Sequence, residues 1–153
     1  MAEVVLSVEV AAPADEVWAA AVDWDSQREW MLGTHVWQST PGATAVGSRV
    51  SAFTGVGPVG FLDTMQVTHW QPPRRCLVRH DGRVIRGVAA FEVEELETGR
   101  SRFVWSEWLD LPLGRLGQVG WLAISPVARV ALQLSLSRFA RFVESRHQGE
   151  LRR

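Results

Sequence analysis

Between His35 and Leu109, turn-forming pairs recur at short intervals, and this punctuation limits what the chain can fold into more than any other feature. They are Pro41-Gly42, the glycines from Gly55 to Gly60, Pro72-Pro73, Asp81-Gly82 and Thr98-Gly99. The runs between them are short and rich in Val, Phe, Thr and Trp, residues that suit a pleated, half-buried surface. An antiparallel meander follows, with strands near His35 to Ser39, Ser48 to Phe53, Phe61 to Trp70, Arg75 to His80, Val84 to Glu95 and Arg100 to Leu109. Val4 to Val10 alternates, with Val4, Leu6, Val8 and Val10 on one face, and adds a first strand. Seven strands result.

Helical signals flank this meander. Ala12-Pro13-Ala14-Asp15-Glu16 places proline and two acids where a first helical turn favours them, and Val17, Trp18, Ala21 and Val22 supply an apolar stripe, so a short helix is predicted from about Pro13 to Val22. Trp24-Asp25 and Gln27-Arg28-Glu29-Trp30 read as a second helical turn or two, closing at Gly33. Leu111 to Gly120 reads as a Gly- and Pro-containing loop. Ser125-Pro126 then offers an N-cap with proline at the first helical position. The final helix is predicted from there to about Arg146, roughly 30 Å at the standard rise. Ala128, Leu132, Leu136, Phe139 and Val143 form its apolar stripe, and Arg138, Arg141, Glu144 and Ser145 its polar side. In its first half Val127, Val130, Ala131 and Leu134 extend the apolar surface nearly all the way round.

The chain has 153 residues, enough for one domain with a real core and a cavity, placed at residues 1–148 with a basic tail at 149–153. Sixteen basic residues against seventeen acidic ones, without long blocks of one sign, exclude a nucleic-acid polyelectrolyte partner. Cys76 is alone, which excludes an intrachain disulfide and a cysteine-based metal cluster; a buried strand cysteine is the expectation. The N-terminus shows no targeting pattern, and the apolar segments are interrupted by Gly, Pro or Arg before spanning length, so no integral membrane segment and a cytoplasmic location are expected.

The order strand, two short helices, six strands and one long helix resembles the helix-grip fold of the START-like superfamily. Local patterns resemble its bacterial polyketide cyclase/dehydrase branch: Ala12 to Trp18, Trp24 to Trp30, Val67 to Arg75 with Pro72-Pro73, and Leu111-Pro112-Leu113-Gly114 leading into the helix that carries Ser135-Leu136 and Phe139-Ala140. The resemblance implies an α+β domain whose curved antiparallel sheet wraps the long helix, with a cavity between them. It implies a fold more than an activity, since one fold hosts many functions.

Within that arrangement strand alternation sorts the side chains. If Phe61, Met65 and Val67 point inward, so does Asp63; if Cys76 and Val78 do, so does His80. Phe91 and Val93 imply an inward Ala89 and Gly87, and Phe103 implies Trp105 and Glu107, the opposite choice being Val104, Ser106 and Trp108. Glu107 reads either as a buried acid or base, or as a carboxylate paired with Arg79, Arg86 or Arg49. His80 just before the Asp81-Gly82 turn favours an exposed hairpin position, and Asp63 follows the Gly-rich loop closely enough to begin a strand at the rim. Asp63, His80 and Glu107 are thus the candidate catalytic residues. Met65, Val78, Phe91, Phe103, Trp105, Glu107, Leu132 and Phe139 are the candidate ligand-binding ones. No short-range ligand spacing supports a metal, and no cofactor is expected. Gly55 to Gly60 lacks the Gly-Lys-Ser/Thr of a phosphate loop and reads as a hairpin tip at the cavity mouth.

Three functions follow as expectations. The first is a binder of a small hydrophobic or aromatic molecule of the polyketide, lipid or isoprenoid class, acting as monomer or homodimer. The second is a polyketide cyclase, aromatase or dehydratase-like enzyme using the cavity acid/base residues. The third is an interaction or regulatory module, toxin-like in some relatives, that uses the Leu113 to Leu122 loop and the apolar first half of the long helix.

Overall fold

The computed structural model describes all residues, 1–153. The elements run β1 (Ala2–Val10), α1 (Ala14–Ala21), a 3₁₀ helix (Trp24–Glu29), β2 (Thr34–Gln38), β3 (Arg49–Val56), β4 (Val59–Gln71), β5 (Arg75–Asp81), β6 (Arg86–Glu97), β7 (Arg100–Leu109) and α2 (Arg115–Leu151). The seven strands form one antiparallel sheet in the order β1-β7-β6-β5-β4-β3-β2. From β2 to β7 neighbours in sequence are neighbours in the sheet, as a meander punctuated by tight turns must be. β1 closes on β7, pairing Leu6 with Trp105 and Val4 with Glu107, and the β1-to-β2 connection carries the two short helices. The helix-grip architecture that the resemblance implied is the one present.

Pro13 is the N-cap of α1, with extended backbone, rather than its first helical residue, and Val17, Trp18, Ala20 and Ala21 turn inward. Trp18 meets Trp70 with ring centroids 5.2 Å apart, and Trp30 is fully buried, so these indoles are packing residues.

The main departure from the sequence reading concerns α2. It begins at Arg115, so Leu116 to Gly120 and Trp121-Leu122 are helical rather than a loop, and Pro126 lies inside the helix instead of starting it. A proline costs a helix the bond to the carbonyl four residues earlier. Here that carbonyl belongs to Leu122, which is 72% exposed, so solvent can serve it and the helix continues. At its other end α2 continues to Leu151, so residues 149–151 extend the helix and two residues follow it.

Along its length α2 changes role. Leu136, Phe139, Ala140 and Val143 are buried in the core, whereas Leu116, Val119, Val127, Val130 and Leu134 present an exposed apolar stripe on the outer side of the first half. By length and composition alone the helix could cross a bilayer, yet its second half is built into the domain. Ser135 fixes the changeover: its Oγ accepts from the Leu32 backbone N–H at 3.0 Å and donates to the Ala131 carbonyl. Arg129 and Gln133 donate to the carbonyls of Glu3 and Ser7, tying the helix to β1.

Candidate functional site

Beneath the second half of α2 an aromatic plug closes one end of the space between helix and sheet. Phe139 sits 4.6 Å from Phe103 and 4.8 Å from Trp30, centroid to centroid, and all three are fully buried. Beyond the plug the sheet and the first half of α2 separate around a cavity of about 500 Å³, lined by 27 residues of which 20 are hydrophobic. Trp121, Ile124, Ala128, Ala131 and Leu132 face it from α2, and Met65, Cys76, Val78, Ala89 and Phe91 from the sheet. Burial pushes the Cys76 thiol up to about 12, which leaves it an inert core group.

Of the candidate ligand-contacting residues, Met65, Val78, Phe91, Trp105, Glu107 and Leu132 line this cavity, while Phe103 and Phe139 do not. Phe103 and Phe139 point inward as alternation and helical periodicity require, but into the plug rather than the open space. Inward direction identifies a core-facing residue without saying whether another side chain fills the volume ahead of it.

Asp63, His80 and Glu107, which come from β4, β5 and β7, meet at one end of the cavity. Asp63 is 5% exposed and His80 7% exposed. Neither is the rim or hairpin-surface residue that its neighbouring turn suggested, because β4 already begins at Val59 and β5 runs one residue past His80 before its turn. His80 Nδ1 lies 2.7 Å from Asp63 Oδ2, and His80 Nε2 lies 3.2 Å from Glu107 Oε2. Trp105 Nε1 donates to Glu107 Oε1 at 2.8 Å, as two side chains at i and i+2 on one strand face can. Glu107 therefore pairs with the imidazole and not with an arginine: Arg49 is bonded to Asp81, and Arg79 to Gln66.

Two strand spacings, roughly 10 Å, separate β5 from β7, so His80 and Glu107 can meet only by reaching over β6. At the crossing β6 presents Gly87 opposite His80 and Ala89 opposite Glu107, the smallest side chains available. Gly87 is required twice over. Its φ is +133°, and a Cβ there would come within 2.0 Å of the Trp108 carbonyl oxygen. Gly87→Ala should therefore destabilise the fold by about 2 kcal/mol and disturb the His80–Glu107 contact. Chemical denaturation reads the first effect and the His80 ring resonances the second; a wild-type midpoint would contradict it. A glycine inside a strand pattern is a sequence signal of close approach, and this one marks where the three residues converge.

Burial by itself would lower the pKa of His80, but hydrogen bonds to Asp63 and Glu107 and the charges of both carboxylates outweigh it and raise the value from 6.5 to about 9. At neutral pH the group is an imidazolium clamped between two carboxylates. With both ring nitrogens engaged, the imidazole has no free lone pair to offer a metal ion. Asp63 Oδ1, in contrast, has no hydrogen-bond partner.

A family model described as polyketide cyclase / dehydrase and lipid transport matches residues 1–144. Solved structures of similar shape include TTHA0849 from Thermus thermophilus, with a TM-score of 0.77 at 12% identity over 94% of this chain and 98% of that one. The Zhui aromatase/cyclase from Streptomyces sp. R1128 superimposes with a TM-score of 0.75 at 19% identity over 95% and 94%. The di-domain ARO/CYC BexL of the BE-7585A biosynthetic pathway gives 0.70 at 16%, and this chain spans 47% of its length. No curated protein sequence matches the chain.

Proposed function

Because the chain belongs to the polyketide cyclase/dehydrase and lipid transport family, we propose that it binds a small hydrophobic or aromatic molecule of the polyketide, lipid or isoprenoid class between the sheet and α2. The observation that carries this reading is the 500 Å³ cavity with its predominantly apolar wall, at the lower middle of the size range of small-molecule pockets and too large to be a packing defect. Trp105 and Phe91 meet edge-on at 5.4 Å on that wall and supply flat faces for a ring. The same reading takes the protein to be soluble and cytoplasmic, as monomer or homodimer. An aromatic ligand should change the fluorescence of Trp105, and Trp105→Leu should weaken binding about 10-fold while leaving the far-UV spectrum unchanged. Native mass spectrometry and dye displacement across the three ligand classes test it. Silence of every class in both assays would refute it.

Catalysis is the second reading, supported by the Asp63–His80–Glu107 assembly and by the names of two structural neighbours, an aromatase/cyclase and a di-domain ARO/CYC. The clamped imidazolium can stabilise negative charge developing on a carbonyl oxygen, and Glu107 can take a proton from an activated methylene, the two needs of an aldol closure or dehydration. Against it, no arginine lines the cavity and the chain has no tyrosine to hold a poly-ketone in register. Glu107→Gln separates the two readings. An enzyme using this carboxylate should lose about 10²-fold or more in rate, whereas a binder keeps its affinity for an apolar ligand.

A further inference from the structure

The polar end of the cavity has an uneven inventory of donors and acceptors. Its strong donors are His80 and Trp105, and all three of their N–H groups are already given to Asp63 and Glu107. No arginine stands among the lining residues, and the chain has no lysine, so the imidazolium is the one cation on the wall and it faces two carboxylates. The assembly sets two carboxyl groups against one imidazole ring. Its unused capacity consists of acceptor lone pairs: Asp63 Oδ1 has no partner, and Glu107, with its side chain 14% exposed, is the most open of the three. Elsewhere on the wall, Thr34 donates to the Leu32 carbonyl and lies 3.1 Å from Thr54, and Ser135 donates to the Ala131 carbonyl.

We infer that the ligand is an apolar molecule carrying a hydroxyl or amine hydrogen-bond donor that docks on Glu107, and that the cavity rejects carboxylate- and phosphate-bearing molecules of the same shape. This rests on the binding reading above and names the ligand chemistry within it. An acceptor-rich end surrounded by apolar side chains leaves a buried ligand carboxylate no free donor among Asp63, His80, Trp105 and Glu107, and burying an uncompensated charge is strongly unfavourable. A ligand hydroxyl or ammonium instead gives its proton to an ionised acceptor, the stronger kind of hydrogen bond. Free fatty acids and other acid-headed lipids are thereby set apart from neutral polyketide phenols and enols, isoprenoid alcohols and amines.

Rigid probes with one ring system and different heads test this by calorimetry at pH 7: naphthalene, 2-naphthol, 2-naphthylmethylamine and 2-naphthoate. The expected order is 2-naphthol and 2-naphthylmethylamine tightest, and 2-naphthoate at least about 10-fold weaker than 2-naphthol. Glu107→Gln, which replaces an acceptor with an amide that can donate, should shrink that preference about 10-fold. If the variant does not fold, the wild-type ranking decides. Binding of 2-naphthoate as tightly as 2-naphthol overturns the inference and leaves the binding reading standing. Failure of all four probes to bind overturns both.

Discussion

Phe139→Ala should lower the unfolding free energy by about 3 to 5 kcal/mol, among the largest losses a single truncation gives. Phe139 has no exposed surface and packs against both Trp30 and Phe103, themselves fully buried and 6.4 Å apart in an edge-on pair. Deleting its ring removes the transfer free energy of the side chain and leaves a void that two large neighbours, held by β7 and by the turn after the 3₁₀ helix, cannot collapse to fill. Because the plug backs Trp105 and Phe91 on the cavity wall, the variant should let these rings shift and the cavity admit bulkier dyes. Denaturant midpoints measure the first effect, and displacement by a series of increasing size measures the second. A midpoint within error of wild type would mean that the helix does not grip the sheet through this residue.

A pH-dependent loss of about 3 kcal/mol should accompany deprotonation of His80. The group's pKa is about 9 when folded and 6.5 when free, so the folded state holds its proton more tightly than the unfolded one. The stabilisation is then complete below about pH 6.5 and is lost as pH rises through 9, at about 1.4 kcal/mol per pH unit. Three other shifted groups, Asp81, Cys76 and the exposed Arg100, lie outside this window. The Asp81 carboxyl is held below its usual value, although desolvation opposes this, by hydrogen bonds from Arg49 and Thr64 and by nearby arginine charge, and acts only in acid. The Cys76 thiol contributes only above about pH 9, where an unfolded cysteine ionises. Unfolding curves taken between pH 6.5 and 9 should show the decline in wild type and lose most of it in His80→Gln. An NMR titration placing the His80 ring near 6.5 would contradict the clamp.

Ligand binding and this clamp share Glu107. An ammonium or hydroxyl ligand docked there competes electrostatically with the imidazolium, so 2-naphthylmethylamine should lower the pH at which His80 titrates, whereas naphthalene should not. Asp63 and Trp105 contact the same pair, and their contributions are not separable by single substitutions, because removing either changes the bonds of the other members.

The amino-acid sequence by itself determined the elements and the faces. Turn chemistry at Pro41-Gly42, Asp81-Gly82 and Thr98-Gly99 delimited the strands, since these are local requirements on φ and ψ that a few residues satisfy alone. Period-2 alternation put Asp63 on the same face as Met65, His80 on that of Val78, and Glu107 on that of Phe103 and Trp105, because a strand's side-chain direction is a property of its own backbone, while the neighbouring turns pointed His80 to the surface and Asp63 to the rim. Only the tertiary structure decided that the three polar residues touch. Their meeting depends on the register of four strands and on the gap left by Gly87 and Ala89, and no local pattern encodes the pairing of residues 17 and 27 positions apart. It also decided that the long helix passes through Pro126, on a stretch where Leu122, the residue whose carbonyl loses its helical donor, is exposed. Finally, it decided that Phe103 and Phe139 fill space while Phe91 and Leu132 border it. Which inward side chains meet another and which meet a cavity depends on how far the sheet stands from the helix at each point, a distance set by the assembled core and not by any single strand.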